Sequence, residues 1–300
     1  MKNKVYSKID SLPCGQADDS ITEGCMVLEG GGWRGVYTLG VLDALMENNI
    51  NLRTTVGISA GALCGIGYVT GQIGWGANID LRFRHDPGYI GLRAIRKEHS
   101  ITGFRYLYND LATQYPVDKK RLKNPEKRFF VGATDLRTGR THYFEKGKCN
   151  LAAAVCASAS VPFMSRPVVI NGIPYLDGGC STKIPYDWAK KQGEKKIVVV
   201  KTREREYIRK EKTRDNMART YYHAFPDFVR SYEKVNARFN SMRLEMYEDE
   251  KQGKVFIIAP SGKVTVSRFE GDMEKLGELY QLGYSDGYAN LEALRNYLSM

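Results

Sequence analysis

A serine between two glycines, in Gly57-Ile58-Ser59-Ala60-Gly61, is the part of this sequence best suited to covalent chemistry. It fits G-x-S-x-G, the pattern in which a serine hydroxyl stands on a sharp turn between a strand and a helix. Attack on an ester needs such a hydroxyl, and flanking glycines leave room where a side chain would meet neighbouring backbone. Ser59 is therefore the candidate nucleophile, with Gly57 and Gly61 as the glycines of the turn. The alternative is that Ser59 only caps the helix, which explains the serine but not both glycines.

A glycine-rich stretch, GGGWRG at residues 30–35, lies upstream between an apolar run and a helical pattern. Successive glycines let backbone N–H groups converge on a small anion in front of a helix N-terminus. The stretch also satisfies the dinucleotide fingerprint G-x-G-x-x-G, which requires an acid about 20 positions on, at the end of the second strand. That strand ends at Ser59, and the nearest acid, Glu47, belongs to the preceding helix, which favours an oxyanion hole. The candidate oxyanion-hole residues are Gly30, Gly31, Gly32, Arg34 and Gly35.

Two residue types compete for the role of the base. A Ser…Asp…His triad in this chain order would need His223, the only histidine after Asp177. We place His223 in a predicted helix distal to the sheet, where a packed or surface role is more common. Asp177, in Asp177-Gly178-Gly179, can accept the serine proton directly if it is close and partly desolvated. Asp-Gly is also a frequent hairpin turn, so the residues alone leave both interpretations open.

The elements that would position these residues begin as an α/β pattern. The apolar run at 25–28 predicts a buried strand, and RTTVGI at 53–58 is predicted as a second short strand. The apolar spacing over 35–48 predicts a helix after the first strand, and a further helix is predicted over 60–69. Strand, glycine turn, helix, strand, sharp turn and helix is how a parallel α/β sheet opens.

The rest of the chain continues this pattern less regularly. A short alanine-rich helix is predicted at 150–159, and the stretch 80–125 is predicted as helices and loops that cover one end of the sheet. Charged helices follow from residue 203, with an interruption near Pro226. Further strands are predicted at 129–134, 141–144, 173–176, 197–202 and 255–259.

The net charge is +11, from 45 lysines and arginines against 34 aspartates and glutamates. The excess either keeps the protein soluble or attracts phosphate on nucleic acid or an anionic bilayer. No nucleic-acid motif accompanies it, so no nucleic-acid partner is expected. The six cysteines lack metal-site spacing, so we expect free thiols, no metal and a cytoplasmic protein. No signal peptide or membrane-spanning run is predicted.

Taken together, the motifs resemble the patatin-like phospholipase family in their order and spacing. The resemblance covers residues 22–202 and rests on the glycine run, the serine motif and the Asp-Gly-Gly. Residues 203–300 resemble only a looser bacterial subgroup pattern. Supporting segments are ATDL and TG within 133–139, ASASVPF at 157–163, VSRF at 266–269, and LY at 279–280 with GY at 283–284.

The resemblance implies a bacterial patatin-like serine lipid acyl hydrolase of the phospholipase A or lysophospholipase type. It implies a dyad of Ser59 and Asp177 without histidine, metal or cofactor, and a phospholipid or other acyl ester as substrate. The fold it implies is a three-layer α/β/α domain with a mainly parallel central sheet plus a helical C-terminal extension. The alternatives are another serine esterase or thioesterase that uses His223, or a non-catalytic nucleotide-binding protein.

Three regions are expected along the chain. Residues 1–21 are expected to be a mobile arm, and 22–202 the patatin-like catalytic core. Residues 203–300 are expected to be a charged, mainly helical region whose strand 255–259 packs on the core.

Each of two further segments has both a structural and a functional interpretation. Six basic residues and one acid between 119 and 128 form either a solvated loop or a patch for anionic lipid, which would put the protein at the membrane periphery. An aromatic and apolar region is either a lid or acyl groove, or ordinary core. Its residues are Tyr89, Ile90, Leu92, Ile95, Phe104, Tyr106 and Tyr108.

Overall fold

A mixed, mostly parallel sheet lies between layers of helices in the computed structural model, which describes residues 4–211 and 214–299. The central sheet has the order β10-β9-β2-β3-β5-β8-β7, and β6 also pairs with β5. The pairs β5–β6, β5–β8 and β7–β8 are antiparallel, and the others are parallel. The predicted α/β class is confirmed. The strands are β1 (Gly15–Gln16), β2 (Thr22–Leu28), β3 (Leu52–Ile58), β4 (Gln72–Ile73), β5 (Arg128–Asp135), β6 (Thr141–Glu145), β7 (Val168–Ile170), β8 (Ile173–Asp177), β9 (Ile197–Val200) and β10 (Phe256–Ile258).

Helices cover both faces of the sheet and form most of the C-terminal third. Within the described ranges, none of them is both long and apolar enough to cross a bilayer. A π-helical turn at Tyr106–Leu111 runs directly into α5. The helices are α1 (Gly35–Glu47), α2 (Ala60–Thr70), α3 (Trp75–Phe83), α4 (Leu92–Glu98), α5 (Ala112–Gln114), α6 (Lys119–Leu122), α7 (Leu151–Ser158), α8 (Tyr186–Lys191), α9 (Asn216–Tyr221), α10 (Pro226–Lys251), α11 (Met273–Ala289) and α12 (Leu291–Ser299).

The two faces of β2 bury their side chains in separate cores. Met26 and Leu28 pack with α1 and α11, whereas Cys25 and Val27 pack with α8 and α10. Successive side chains of a strand point to opposite faces, so a run with no polar residue requires cover on both sides. The all-apolar run in the sequence therefore specifies a central strand of a three-layer fold.

The expectation of a mobile arm is wrong for residues 4–21. Tyr6, Ile9 and Leu12 are buried in the core, and β1 pairs antiparallel with β4. These three apolar residues stand three apart, so one side of an otherwise polar segment can pack on the helices. Residues 1–3 of the expected arm lie outside the described residues.

The basic stretch at 119–128 is only partly a surface patch. Arg121 pairs with Asp19, and Arg128 pairs with Glu145. Lys127 is buried, and burial lowers the pKa of its ammonium group. Arg121 and Arg128 thus have acidic partners within the chain and Lys127 is buried, while the interpretation of the stretch as a patch for anionic lipid stays a prediction.

The C-terminal region is built into the core. β10 extends the sheet by pairing in parallel with β9, and α11 packs on α1 at backbone contact. A Cβ on Gly283 would lie 2.1 Å from the carbonyl oxygen of Tyr37, and one on Gly40 would lie 2.2 Å from that of Tyr280. Glycine is therefore required on both helices at this crossing, and α1 is the helix that begins at the glycine-rich loop.

Replacing Gly283 with alanine is expected to lower the free energy of unfolding by about 1–3 kcal/mol, the usual cost of overpacking a core. Urea denaturation measures this. The matched control is Gly262→Ala, because a Cβ there has its nearest neighbour, Leu282, at 3.7 Å. Equal stability of the two variants would contradict the backbone contact between α1 and α11.

Asp43 predicts a pH dependence of stability. Its carboxylate is buried and accepts hydrogen bonds from the Gly74 N–H and the Tyr280 hydroxyl, both at 2.8 Å. Burial outweighs these donors and raises the pKa of Asp43 from 3.8 to about 7. The folded state thus holds this proton more tightly than the unfolded chain. The stabilisation that protonated Asp43 provides is fully present below the pKa of this group in the unfolded chain. It is lost as the pH rises through the pKa of Asp43 in the folded protein.

We therefore expect the free energy of unfolding to fall more steeply with rising pH in the wild type than in Asp43→Asn, over roughly pH 4 to 7. Urea denaturation at several pH values checks this. Parallel curves for the two proteins would show that Asp43 is ionised throughout.

Candidate active site

Ser59 stands on the turn between β3 and α2 in a backbone conformation that serine rarely adopts. Its φ is +54° and its ψ is −121°. A Cβ on Gly57 would lie 2.5 Å from the Gly61 carbonyl oxygen, and one on Gly61 would lie 2.6 Å from the Leu28 carbonyl oxygen. The backbone contacts thus require glycine on both sides of Ser59. Strained backbone conformations of this kind are concentrated at functional sites, and a serine on such a turn is typical of a nucleophile.

Strand register brings Asp177 to the level of Ser59. β3 and β5 run in parallel with Ile58 opposite Gly132, while β8 runs antiparallel to β5 with Asp177 opposite Ala133. β8 thus ends on Asp177 at the level where β3 ends, with only β5 between the two strands. A Cβ on Gly178 would lie 2.2 Å from the Gly132 carbonyl oxygen, so the chain can turn here only with glycine.

The Ser59 hydroxyl donates a hydrogen bond of 2.8 Å to Asp177 Oδ2. The other carboxylate oxygen, Oδ1, accepts the Gly179 N–H at 2.7 Å. Both side chains are 8% exposed. One carboxylate oxygen is thus held by backbone, and the other faces the serine in the geometry of a base and its proton donor.

The glycine loop leaves two backbone donors free next to Ser59. Within the described chain, the N–H groups of Gly31 and Gly32 have no hydrogen-bond acceptor, whereas those of Gly30 and Trp33 donate to carbonyl oxygens of Lys183 and Arg268. A Cβ on Gly30 would lie 3.2 Å from the Ser59 Cβ.

The other loop glycines also lie at close contacts. A Cβ on Gly35 would lie 2.9 Å from the Ala60 Cβ, and one on Gly32, whose φ is +59°, would lie 2.6 Å from the Arg268 carbonyl oxygen. The loop can therefore approach the serine closely, as an oxyanion hole requires.

Arg34, expected at the edge of this hole, is buried and does not line the cavity described below. Its side chain forms no hydrogen bond or ion pair with residues 4–211 or 214–299. Burial, followed by the charge of Arg203, lowers the pKa of Arg34 to about 10. The nearby carboxylate of Glu29, which is fully buried, opposes this shift.

A cavity of about 340 Å³ contains Ser59, Asp177 and the glycine loop in its wall. Much of the wall is apolar and comes from α1, α2, α3, the π-helical turn and the loops around them. Lys183 and the C-terminal region add charged residues together with some apolar ones. Of the predicted lid or acyl-groove residues, Tyr89, Ile90 and Tyr108 line this cavity, while Phe104 is core and Leu92 is 72% exposed. The volume is at the lower end of the range for small-molecule sites.

Comparison with known proteins identifies the family of this chain. The model of the family described as patatin-like phospholipase matches residues 26–190, which is more than half of the chain. The chain belongs to the patatin-like phospholipase family. A second family, described as a domain of unknown function (DUF6363), matches residues 225–299 of this patatin-like protein.

Several relatives are similar to this patatin-like protein over part of their length. The uncharacterized protein YjjU of Escherichia coli K12 is 31% identical over 59% of this chain and 51% of its own. The probable lipid hydrolase 463L of invertebrate iridescent virus 6 is 27% identical over 57% of this chain and 64% of its own. The crystal structure of VipD from Legionella pneumophila is 14% identical, covers 98% of this chain and 71% of its own, and has a TM-score of 0.48. The match spans about half the length of YjjU, and the division of the chain at residues 202 and 203 stays a prediction.

His223 lies apart from the patatin-like site. It is exposed in the turn between α9 and α10, not in a helix as predicted, and one ring nitrogen contacts the Thr220 carbonyl oxygen at 3.1 Å. It does not line the cavity. Among the described residues, no cluster of histidine, cysteine or acidic side chains could hold a metal ion.

Ser158 is a site residue that sequence reasoning did not single out. Its hydroxyl accepts the Ser59 N–H at 2.8 Å and donates to the Gly132 carbonyl oxygen at 2.6 Å. It thereby ties the strained serine to β5. The only signal for it was its place in the segment 157–163 that resembles the family.

Ser158→Ala is expected to lower the free energy of unfolding by about 1–3 kcal/mol, because the buried Ser59 N–H and Gly132 carbonyl lose their partner. Ser160→Ala is the matched control, since among the described residues that hydroxyl donates only to the nearby Cys156 carbonyl oxygen, just after α7 ends. Thermal or urea unfolding of both variants tests this. A larger loss in Ser160→Ala would argue against the role given to Ser158.

Proposed function

We propose that this protein is a serine lipid acyl hydrolase of the phospholipase A or lysophospholipase type. The observation that carries the proposal is the 2.8 Å hydrogen bond from the Ser59 hydroxyl to Asp177 in the wall of a largely apolar cavity. Membership of the patatin-like family supports it, as does the printed name of the viral relative, a probable lipid hydrolase.

In the first half-reaction, Asp177 Oδ2 takes the proton of Ser59 as Oγ forms a bond to the acyl carbonyl carbon. The tetrahedral intermediate then expels the alcohol, which takes the proton back from Asp177, and the acyl group stays on Ser59. Because Gly179 holds Oδ1, the carboxylate keeps Oδ2 toward the serine throughout.

The negative charge on the carbonyl oxygen needs donors that are already in position. The N–H groups of Gly31 and Gly32 are suited to this, since no described residue accepts from them. The N-terminus of α2, which begins at Ala60, adds positive potential at the same point. We assign Arg34 a supporting role behind the loop, through its charge.

In the second half-reaction, a water molecule attacks the acyl-enzyme. Asp177 takes a proton from this water and returns it to Ser59 Oγ as the acid leaves. One carboxylate thus serves both halves of the reaction, and neither a histidine nor a metal ion takes part in this scheme.

The apolar wall supports a lipid acyl chain as the part of the substrate that enters the cavity. Leu39, Leu63, Ile66 and Ile79 line it together with aromatic residues from α3 to α5. We further propose that the protein acts in the cytoplasm on acyl esters at an anionic membrane surface, for which the charge of +11 provides attraction.

Fluorophosphonate labelling and ester turnover test the proposal. Ser59→Ala should abolish labelling, and Asp177→Asn should reduce turnover by about 10³- to 10⁴-fold, since the serine loses its base. His223→Ala should behave as the wild type because its ring lies outside the cavity. Activity retained in Asp177→Asn but lost in His223→Ala would favour the esterase that uses histidine. No labelling of the wild type would favour a binding function.

A further inference from the structure

Three cationic side chains line the cavity next to the serine, and the proposed ester chemistry does not use them. They are Lys183, Arg209 and Arg268. The latter two come from beyond residue 202, outside the part of the chain that matches the patatin-like family. Their positions relative to Ser59 and their missing partners indicate what they could bind.

Lys183 lies beside the catalytic carboxylate. Its ammonium group donates to the Gly179 carbonyl oxygen at 2.6 Å. A Cβ on Gly179 would lie 3.7 Å from this nitrogen and 2.9 Å from Asp177 Oδ1, so Gly179 lies between the two groups. Two of the three ammonium protons remain without an acceptor among the described residues.

Arg268 lies against the glycine loop. Its carbonyl oxygen accepts the Trp33 N–H at 3.2 Å, and its Cγ would lie 2.7 Å from a Cβ on Gly32. The side chain is exposed. Its guanidinium forms no hydrogen bond or ion pair with the described part of the chain, so a five-donor fork stands free at the oxyanion loop.

Arg209 is buried, and only some of its hydrogen-bond donors have a partner. One terminal nitrogen pairs with Glu29 at 3.2 Å, and the guanidinium lies 4.4 Å from the centre of the Phe239 ring. Nε is buried without an acceptor among the described residues. Glu29 also accepts the Thr202 N–H at 2.7 Å, so this carboxylate is shared.

The acids that line the cavity do not balance this charge. Glu233 is held by Arg219 through two hydrogen bonds of 2.7 and 2.9 Å, and Asp177 is engaged by Ser59 and Gly179. Asp80 accepts from Tyr89 on the apolar side. Burial, with repulsion from Arg209 and Arg268, lowers the pKa of Lys183 to about 8, which a bound anion would reverse.

We infer that Lys183, Arg209 and Arg268 form a subsite for a phosphate group on the substrate. Arginine forks and a lysine ammonium group are the donors that proteins use for phosphate. A glycerophospholipid carries its phosphate a few bonds from the acyl ester, so the chain would enter the apolar part while the phosphate meets the cations. The inference rests on the proposed function and names the residues that would bind the phosphate of its substrate.

Two esters that differ only in the phosphate provide the test. 1-Octanoylglycerol 3-phosphate and 1-octanoylglycerol are compared below their micellar concentrations, and the ratio of their kcat/KM values is the readout. Arg268→Gln should lower this ratio by about tenfold to a hundredfold, the loss of one charge-assisted hydrogen-bonding partner. Lys183→Met should lower it similarly, whatever happens to turnover of the neutral ester.

Arg140→Gln is the matched control. Arg140 is an exposed arginine in the turn between β5 and β6, it does not line the cavity, and the substitution changes the net charge equally. The ratio should stay at its wild-type value in this variant. A ratio that falls equally in Arg140→Gln and Arg268→Gln would mean long-range attraction and would overturn the subsite.

Binding to Ser59→Ala separates the subsite from catalysis. Trp33 and Trp75 line the cavity, so tryptophan fluorescence should report binding without turnover. The phosphate ester should bind more tightly than the neutral ester, and adding Arg268→Gln should remove the difference. If the wild type cleaves neither ester but this binding difference holds, the hydrolase proposal fails and the subsite stands.

Inorganic phosphate distinguishes the source of the anion. It should compete weakly with the phosphate ester in the wild type and less in Arg268→Gln. Competition that Arg268→Gln relieves, together with an unchanged ratio between the two esters, would mean that the site takes free phosphate only. That result, or an unchanged ratio without competition, overturns the substrate assignment.

Discussion

The site depends on backbone segments that lie so close together that only glycine, which has no Cβ, fits at their contacts. Around Ser59 the contacts of Gly57 with Gly61, of Gly61 with Leu28, and of Gly178 with Gly132 would each fall below 3 Å with any larger residue. These contacts set the turn that holds the hydroxyl in its strained conformation and let β8 end beside it. The 2.8 Å hydrogen bond between serine and aspartate is a consequence of this packing. A side chain at any of these glycines would have to move a strand, and the hydrogen bond between Ser59 and Asp177 would be disturbed with it.

The same constraint joins the C-terminal region to the site. Helix α11 lies against α1 with glycine on both sides, and α1 begins where the glycine loop ends. The carbonyl oxygen of Arg268 accepts the Trp33 N–H of that loop. The position of the two free N–H groups thus depends on residues well beyond the segment that matches the patatin-like family. Residues 203–300 form part of the wall and the support of the site.

The sequence allowed much of this to be predicted, for identifiable physical reasons. The apolar run at 25–28 predicted a central strand because a strand covered on both faces is mostly apolar. The positions of Ser59 and Asp177 followed from short motifs, although their contact across strands could not, since register is set by pairing. The packing of Tyr6 was missed because sparse apolar residues give no clear period, and β7 was missed because three residues are too few to show one. Ser158 and the cavity arginines were missed because partners far apart in sequence leave no local pattern.

The wall of the cavity combines apolar and cationic side chains. Most of the apolar ones come from residues before 120, while the cations are Lys183, Arg209 and Arg268. A serine–aspartate pair alone has no means of choosing among esters, because its contacts are to the reacting atoms. A neutral ester would leave the spare protons of the half-buried Lys183 ammonium group without partners inside the cavity, where unmet charge is costly. A substrate that carries an anion next to this group removes that cost. Selectivity would thus come from residues that take no part in bond making.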